Sequence, residues 1–314
     1  MLHFARFEEF VDKLDRLVPE GDLGLAVSGG PDSLALLRLA AEARPGEIRA
    51  ATVDHGLRAE SAGEAAEVAR LCAPIGVPHE VLRVEIEAGA SLQAQARKAR
   101  YDALGAWARR NSLTAVATAH HADDQAETLL MRMARGSGVR GLSGIREDSD
   151  IGGRRFVRPL LAFRKADLVA LVESVGWTAL DDPSNADERH DRTRVRKLLA
   201  DNPWLDPERL ARSAKVLGEA DEALIQATER ARRRHEVIAA DGVSLRDVYL
   251  IPAEIRRRLL LSALVIMQTS PSGPEIDRMM AKLDEGQSAT LGFAKVTPWP
   301  DGVWRVDFAP PRRA

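Results

Sequence analysis

Two stretches of the chain carry side chains of the kind that handle phosphates and cations. The first is Ser28-Gly29-Gly30-Pro31-Asp32-Ser33. Adjacent glycines let a backbone bend sharply and bring bare N–H groups close to a ligand. Pro31 suits the first position of a helix, and Asp32 and Ser33 suit its first turn. A glycine bend that runs into a helix N-terminus favours phosphate, through unpaired amides and the positive end of the helix. A plain strand–helix connection can also use two glycines, but serine at both ends and aspartate inside favour a nucleotide. The loop is not of the G-x-x-x-x-G-K-[ST] kind, because nothing basic lies between Gly21 and Leu37.

The second stretch is Thr118-Ala119-His120-His121-Ala122-Asp123-Asp124-Gln125-Ala126-Glu127-Thr128. On a helix Asp124 and Glu127 share a face, while Leu129, Leu130 and Met133 can turn to a core. Asp123 reads as a helix cap. Capping does not account for Glu127 or for two histidines in a row. Carboxylates on one face of a cleft bind a cation, either Mg²⁺ or an ammonium. Zinc fits less well, since adjacent histidines on a strand point apart and no cysteine or second helical histidine completes a ligand set. The glycine-rich stretch that follows, residues 136–144, is flanked and interrupted by Arg135 and Arg140, placed to meet a phosphate or a carboxylate.

The elements that must hold these groups follow from apolar patterning. Leu25, Ala26 and Val27 read as a strand covered on both faces, and Leu34, Leu36, Leu37 and Leu39 as a buried helix. Strand-like stretches at 48–53, 77–84 and 113–119 alternate with helix-like ones at 60–75, 92–110 and 122–135. That alternation predicts an α/β fold with a doubly wound parallel sheet. Asp54-His55-Gly56-Leu57-Arg58 closes the second strand. Both chemical stretches fall just past strand ends, where ligands of such sheets sit, so one shared cleft is expected.

Beyond residue 200 the composition changes, and Asn202-Pro203 and Asp206-Pro207 mark turns. A long helical region is expected over 206–237, further helices over 255–267 and 275–283, and strands near 290–296 and 303–308. The expected organisation is a catalytic domain at 1–203 and a smaller, mainly helical accessory domain at 204–314.

The whole chain of 314 residues is 45% hydrophobic and 29% charged, the profile of a soluble globular protein. Aromatic residues make up 4%, so alanine, leucine and valine must build the core. A net charge of −2 gives no global case for nucleic acid. Local basic runs do exist: Arg154, Arg155 and Arg158; Arg192, Arg194, Arg196 and Lys197; Arg230 to His235; and Arg256 to Arg258. Cys72 is the single cysteine, which excludes internal disulfides and a cysteine-rich metal site. No apolar run reaches membrane-spanning length and no signal-peptide core opens the chain, so a cytoplasmic protein without a membrane partner is expected.

Ser28-Gly29-Gly30-Pro31-Asp32-Ser33 resembles the pyrophosphate loop of ATP pyrophosphatases that adenylate a substrate. A closer resemblance rests on the order of several blocks. After that loop come Val53-Asp54-His55-Gly56-Leu57-Arg58, Ala96-Arg97-x-x-Arg100-Tyr101 and the His120–Thr128 block. Arg135-Gly136-Ser137-Gly138 and Arg158-Pro159-Leu160-Leu161 follow, with Arg164-Lys165. Trp177-x-x-x-Asp181-Asp182-x-Ser184-Asn185 and Arg192-x-Arg194-Val195-Arg196 complete the series. Together they resemble the tRNA(Ile)-lysidine synthetase family over roughly residues 22 to 200, although Thr193 stands where that family more often has asparagine.

The resemblance implies ATP and Mg²⁺ as cofactors, and L-lysine and an isoleucine tRNA with a CAU anticodon as partners; a homodimer is one expected assembly. It implies that ATP adenylates O2 of the wobble cytidine and that a lysine amine then attacks C2 and expels AMP. Ser28, Gly29, Gly30, Pro31, Asp32 and Ser33 would hold the phosphates, Asp32 would also hold Mg²⁺, and Asp54 and His55 would lie near adenine and ribose. Asp124 and Glu127 would take the lysine ammonium, and Arg100 and Arg192 its carboxylate or the phosphates. A tRNA thiolase of the same fold would need a cysteine pair that this chain lacks. An amidotransferase-type synthetase would need ammonia delivery, and a non-enzymatic nucleotide sensor leaves the histidine–carboxylate cluster unexplained.

Overall fold

The computed structural model describes residues 4–56, 61–85, 92–180 and 191–309. Leu57, Arg58, Glu60, Asp181, Asp182, Ser184 and Asn185 of the stretches above lie outside the described residues. In chain order the elements begin with α1 (Phe7–Leu17), β1 (Leu23–Ala26), α2 (Pro31–Ala43), β2 (Ile48–Asp54), α3 (Ser61–Cys72) and β3 (His79–Arg83). Next come α4 (Leu92–Arg110), β4 (Ala115–Ala117), α5 (Ala122–Ala134), α6 (Val139–Leu142), β5 (Asp148–Asp150) and β6 (Arg155–Val157). Then follow α7 (Lys165–Ser174), α8 (Asp191–Asp201), α9 (Pro207–His235), β7 (Glu236–Ala239), β8 (Gly242–Leu245) and α10 (Ala253–Ile266). The series ends with α11 (Gly273–Asp284), β9 (Ala289–Leu291), β10 (Ala294–Trp299) and β11 (Val303–Phe308). Two compact units, Met1–Gly218 and Glu219–Ala314, divide the chain inside α9. The Asn202-Pro203 and Asp206-Pro207 turns separate α8 from α9, and the division between units comes later.

The first unit is an α/β doubly wound fold. Its sheet has six strands in the order β3-β2-β1-β4-β6-β5. All neighbours pair in parallel except β5, which runs antiparallel to β6. Leu23 of β1 registers with Ile48 on one side and Ala115 on the other. Every residue of β1 is buried because helices cover both faces. Side chains alternate between two cores: Leu23, Leu25 and Val27 pack with Leu14, Leu36 and Phe163, whereas Ala26 packs with Tyr101, Leu104 and Trp107. Each leucine so buried contributes about 1.5–3 kcal/mol. At Gly24 a Cβ would stand 2.5 Å from the Trp107 ring, so only a bare backbone admits the indole of α4.

The second unit holds α10, α11 and a five-stranded sheet in the order β7-β8-β11-β10-β9, antiparallel at every pair. Its core joins Leu259, Leu260 and Leu264 of α10 with Met279 and Leu283 of α11 and Val296, Trp304 and Val306 of the sheet. The long helix ends at His235, and Glu236 begins a hairpin that the expected helix over 206–237 had covered. Among the described residues no helix is long and apolar enough to cross a membrane.

Candidate active site

Sheet order reverses at β1, with β2 and β3 on one side and β4, β6 and β5 on the other. Ser28–Ser33 leaves the carboxyl end of β1, and His120–Glu127 leaves the carboxyl end of β4, its parallel neighbour. A crevice at this reversal is where open α/β sheets take ligands.

The loop after β1 is shaped by its own hydroxyls. The Ser28 amide donates to Ser33 Oγ at 3.1 Å, Ser28 Oγ donates to the same oxygen at 3.3 Å, and Ser33 Oγ donates to the Gly30 carbonyl at 2.9 Å. Ser33 thus acts as the loop's internal tie. Gly29 has φ +87°, and a Cβ there would stand 2.5 Å from Leu180 Cδ1. Conformation and space together require glycine. The Gly29 carbonyl accepts from the Leu180 amide at 3.0 Å. Gly30 caps α2 without any side-chain cap, and Pro31 occupies the first turn. The amides of Gly29, Gly30, Asp32 and Ser33 have no acceptor among the described residues, which leaves a cradle of donors at a positive helix end.

His121 joins the two stretches. Its side chain is 5% exposed, with Nε2 3.4 Å from Asp32 Oδ2 and 3.5 Å from Asp124 Oδ2, and Nδ1 3.6 Å from Asp123 Oδ2. Burial on its own would lower the pKa of the ring. Asp123 and Asp32 as hydrogen-bond partners, with the charges of Asp124 and Asp32, outweigh that and raise it to about 10. His121 is also the N-cap of α5, where its backbone amide donates to Asp124 Oδ2 at 3.2 Å. Asp124 is pushed up by burial, yet the His121 and Arg192 charges hold it below the usual carboxylate range.

Asp123 caps a different helix from the one it sits on. It accepts from the Lys165 amide at 2.8 Å and from Arg164, tying α5 to the start of α7. Burial opposes ionisation of Asp123, but His121, the Lys165 amide and Arg164 hold its pKa far below the ordinary value.

The carboxylates of Asp124 and Glu127 already bear guanidinium groups. Arg192 of α8 donates to Glu127 Oε2 at 2.5 Å and to Asp124 Oδ1 at 2.7 Å, and Arg196 donates to Glu127 Oε1 at 2.7 Å. Arg192 and Arg196 are one helical turn apart and face α5 together. Sequence reasoning placed Arg196 in a basic run, without a link to Glu127. The four-residue spacing from Arg192 was the signal for a shared face.

Arg100 on α4 has no carboxylate partner among the described residues, and burial lowers its pKa. Its charge helps to depress His55, whose buried Nδ1 has no partner among the described residues, although burial is the larger cause. Burial likewise drives His120 down to about 3, with Asp124 opposing and Arg158 and Arg100 adding to the effect. Asp54 Oδ1 accepts from the Gly56 amide at 2.9 Å, which sets the turn after β2. Asp32, Asp124, Glu127 and Arg192 therefore form one linked cluster with His121, and Arg100, His55 and His120 interact electrostatically beside it.

Asp32 fits a Mg²⁺ site. Its buried Oδ1 has no hydrogen-bond partner among the described residues, and Mg²⁺ is commonly held by one or two carboxylates together with substrate phosphates. No group of three metal-ligating side chains occurs among the described residues. Several of the basic runs are engaged locally. Arg158 is buried against the Arg146 carbonyl and Ser149, Arg155 pairs with Asp148, and Arg256, Arg257 and Arg258 pair with Asp284, Asp277 and Asp221. Cys72 is buried on α3, and burial pushes its thiol up to about 12.

A family model described as a PP-loop domain matches residues 4–202. A tRNA(Ile)-lysidine synthase of Novosphingobium aromaticivorans is 47% identical, covering 99% of this chain and 95% of that protein. The tRNA(Ile)-lysidine synthase of Zymomonas mobilis is 43% identical, covering 93% and 90%. Among solved structures, a U34-tRNA thiolase from Methanococcus maripaludis with its [4Fe-4S] cluster overlaps at a TM-score of 0.54 and 16% identity, covering 68% of this chain and 78% of that one. At that identity the likeness is one of fold.

Proposed function

The chain belongs to the tRNA(Ile)-lysidine synthase family of PP-loop proteins, and on that premise we propose how its residues ligate L-lysine to C2 of the wobble cytidine of a CAU-anticodon isoleucine tRNA. The observation that carries the proposal is the bridge of His121 between Asp32 of the glycine loop and Asp124 of the acidic helix. It makes one site of two stretches about ninety residues apart in sequence, counted from 32 to 124.

In the first step cytidine O2 attacks the α-phosphorus of ATP, the bond to the bridging oxygen breaks, and pyrophosphate leaves. The free amides of Gly29, Gly30, Asp32 and Ser33 stabilise the charge that grows on the departing group. Mg²⁺ held at Asp32 would supply further charge neutralisation there. Asp54 and His55, at the end of the adjacent strand β2, border the adenosine.

In the second step the lysine ammonium gives up a proton, its nitrogen attacks C2, the C2–O2 bond breaks, and AMP departs carrying that oxygen. Asp124 and Glu127 attract the incoming ammonium and hold its nitrogen towards the cytidine. Arg192 and Arg196 have to give up one side of the carboxylates for the ammonium to enter. Arg100, which has no carboxylate partner among the described residues, suits the lysine carboxylate or a phosphate. A carboxylate held below its usual pKa binds a cation well and accepts a proton poorly, so Asp124 serves placement better than deprotonation.

Omission of single components tests the reading. AMP should form with ATP, lysine and a CAU isoleucine tRNA transcript together, and mass analysis should find lysine added at the wobble cytidine. AMP formed equally well without tRNA would overturn it.

A further inference from the structure

We infer that Thr52 and His79 are positioning residues for the phosphate-holding loop, acting through the Val27 carbonyl. The Val27 amide donates to the Ala51 carbonyl at 2.9 Å, as a strand residue does. Its carbonyl, one residue before Ser28, accepts no backbone amide among the described residues. Thr52 Oγ1 donates to it instead, at 2.8 Å. The sheet ladder therefore ends at this point, and a side chain takes over its last bond.

Proton counting orders the rest of the chain of bonds. A threonine hydroxyl has one hydrogen, and here it goes to Val27. His79 Nε2 lies 2.8 Å from the same Oγ1, so Nε2 carries a hydrogen and donates it. The relay runs from β3 through β2 to the end of β1, across the strands that flank the loop. Thr52 is buried, at 6% exposed, so water competes little for these partners. Val27 O fixes the plane of the peptide joining Val27 to Ser28, and Ser28 N is the first donor of the loop's internal tie to Ser33. Losing the relay frees that peptide to rotate and misaligns the amides that follow.

The inference rests on the reading that Ser28–Ser33 receives ATP, and the test separates the two. Binding of ATP is measured calorimetrically for the parent, Thr52→Val, Thr52→Ser, His79→Leu and His79→Gln, alongside KM for ATP, KM for lysine and kcat. Thr52→Val leaves a buried carbonyl unpaired and should weaken ATP binding roughly tenfold, with the KM for lysine within twofold of the parent. Thr52→Ser keeps the hydroxyl and should restore binding. His79 lies on an edge strand and is only part-buried, so His79→Leu serves where Thr52→Val does not fold; it should lose several-fold in ATP affinity, and His79→Gln, which retains a donor, should lose less. ATP affinity unchanged in both Thr52→Val and His79→Leu, or equal losses for ATP and lysine, would overturn the positioning role. No ATP binding by the parent would overturn the reading beneath it.

Discussion

Replacing Glu127 by glutamine separates a structural role of the carboxylate from a role in holding lysine. The side chain is 4% exposed, and each oxygen accepts from a guanidinium of α8. Glutamine preserves volume and one acceptor, but its NH₂ group meets an arginine donor. Removing one partner of a fully buried pair costs about 3–5 kcal/mol. Arg192 and Arg196 are 43% and 37% exposed, so water takes up much of their charge. The loss of stability should then be about 1–2 kcal/mol. For a unit of this size that corresponds to a fall of about 2–8 °C in Tm. Lysine loses a charge-assisted contact worth about 1.5–3 kcal/mol, so its KM should rise roughly ten- to a hundredfold. The assay is AMP release at varied lysine and saturating ATP, with KM for ATP measured in parallel and Tm by circular dichroism. Asp124→Asn should act in the same direction. A lowered Tm with unchanged lysine dependence in both variants would show that these carboxylates only anchor α8.

Further outcomes follow from the same geometry. Gly29→Ala forces a left-handed residue to carry a Cβ against Leu180, so a stability loss of about 1–3 kcal/mol and a loss of ATP affinity are expected, checked by urea unfolding and calorimetry; wild-type affinity would contradict the cradle. His121 has its folded pKa raised to about 10 from 6.5, so its stabilisation is complete below pH 6.5 and declines as pH rises towards 10. Tm measured from pH 6 to pH 10 should fall more steeply for the parent than for His121→Gln, and parallel curves would refute the bridge. Charge reversal at Arg232–Arg234 should weaken tRNA binding and reduce its salt dependence while ATP affinity stays constant. Arg232 and Arg233 share Glu229 as a partner, so Arg234→Glu should carry a large part of that effect; binding of tRNA that ignores the change at low and high salt would count against contact there.

Local patterning made most of the first unit legible. The apolar run at Leu25–Val27 and the Gly-Gly-Pro turn are short-range signals, and they yielded β1, its loop and the start of α2. The helix expected over 92–110 spans Leu92–Arg110 as observed, because nineteen residues without proline and rich in alanine and arginine carry one continuous helix through Gly105. Other features depend on groups distant in sequence. Arg192 and Arg196 meet Asp124 and Glu127 only after α8 docks on α5, and the run of four basic residues read equally well as an RNA patch. Ser33 is expected to hold phosphate from its sequence position; its hydroxyl donates to the Gly30 carbonyl, and its amide is the part left to the cradle. Asp123 looked like a cap for its own helix and caps α7 instead. The β7–β8 hairpin did have a local mark, Asp241-Gly242 between alternating residues, but the strong helical period before it masked the change. Thr52 and His79 carry no motif at all, since their pairing appears only when three strands lie side by side.

Labelled ATP shows whether the glycine loop and the acidic helix serve one substrate in one cleft. With ATP labelled in the α-phosphate, a CAU isoleucine tRNA and no lysine, the label should accumulate on the tRNA. Adding lysine should then release it as free AMP while the wobble cytidine gains the mass of lysine less water. Label that never reaches the tRNA, or that lysine fails to chase, would contradict the account.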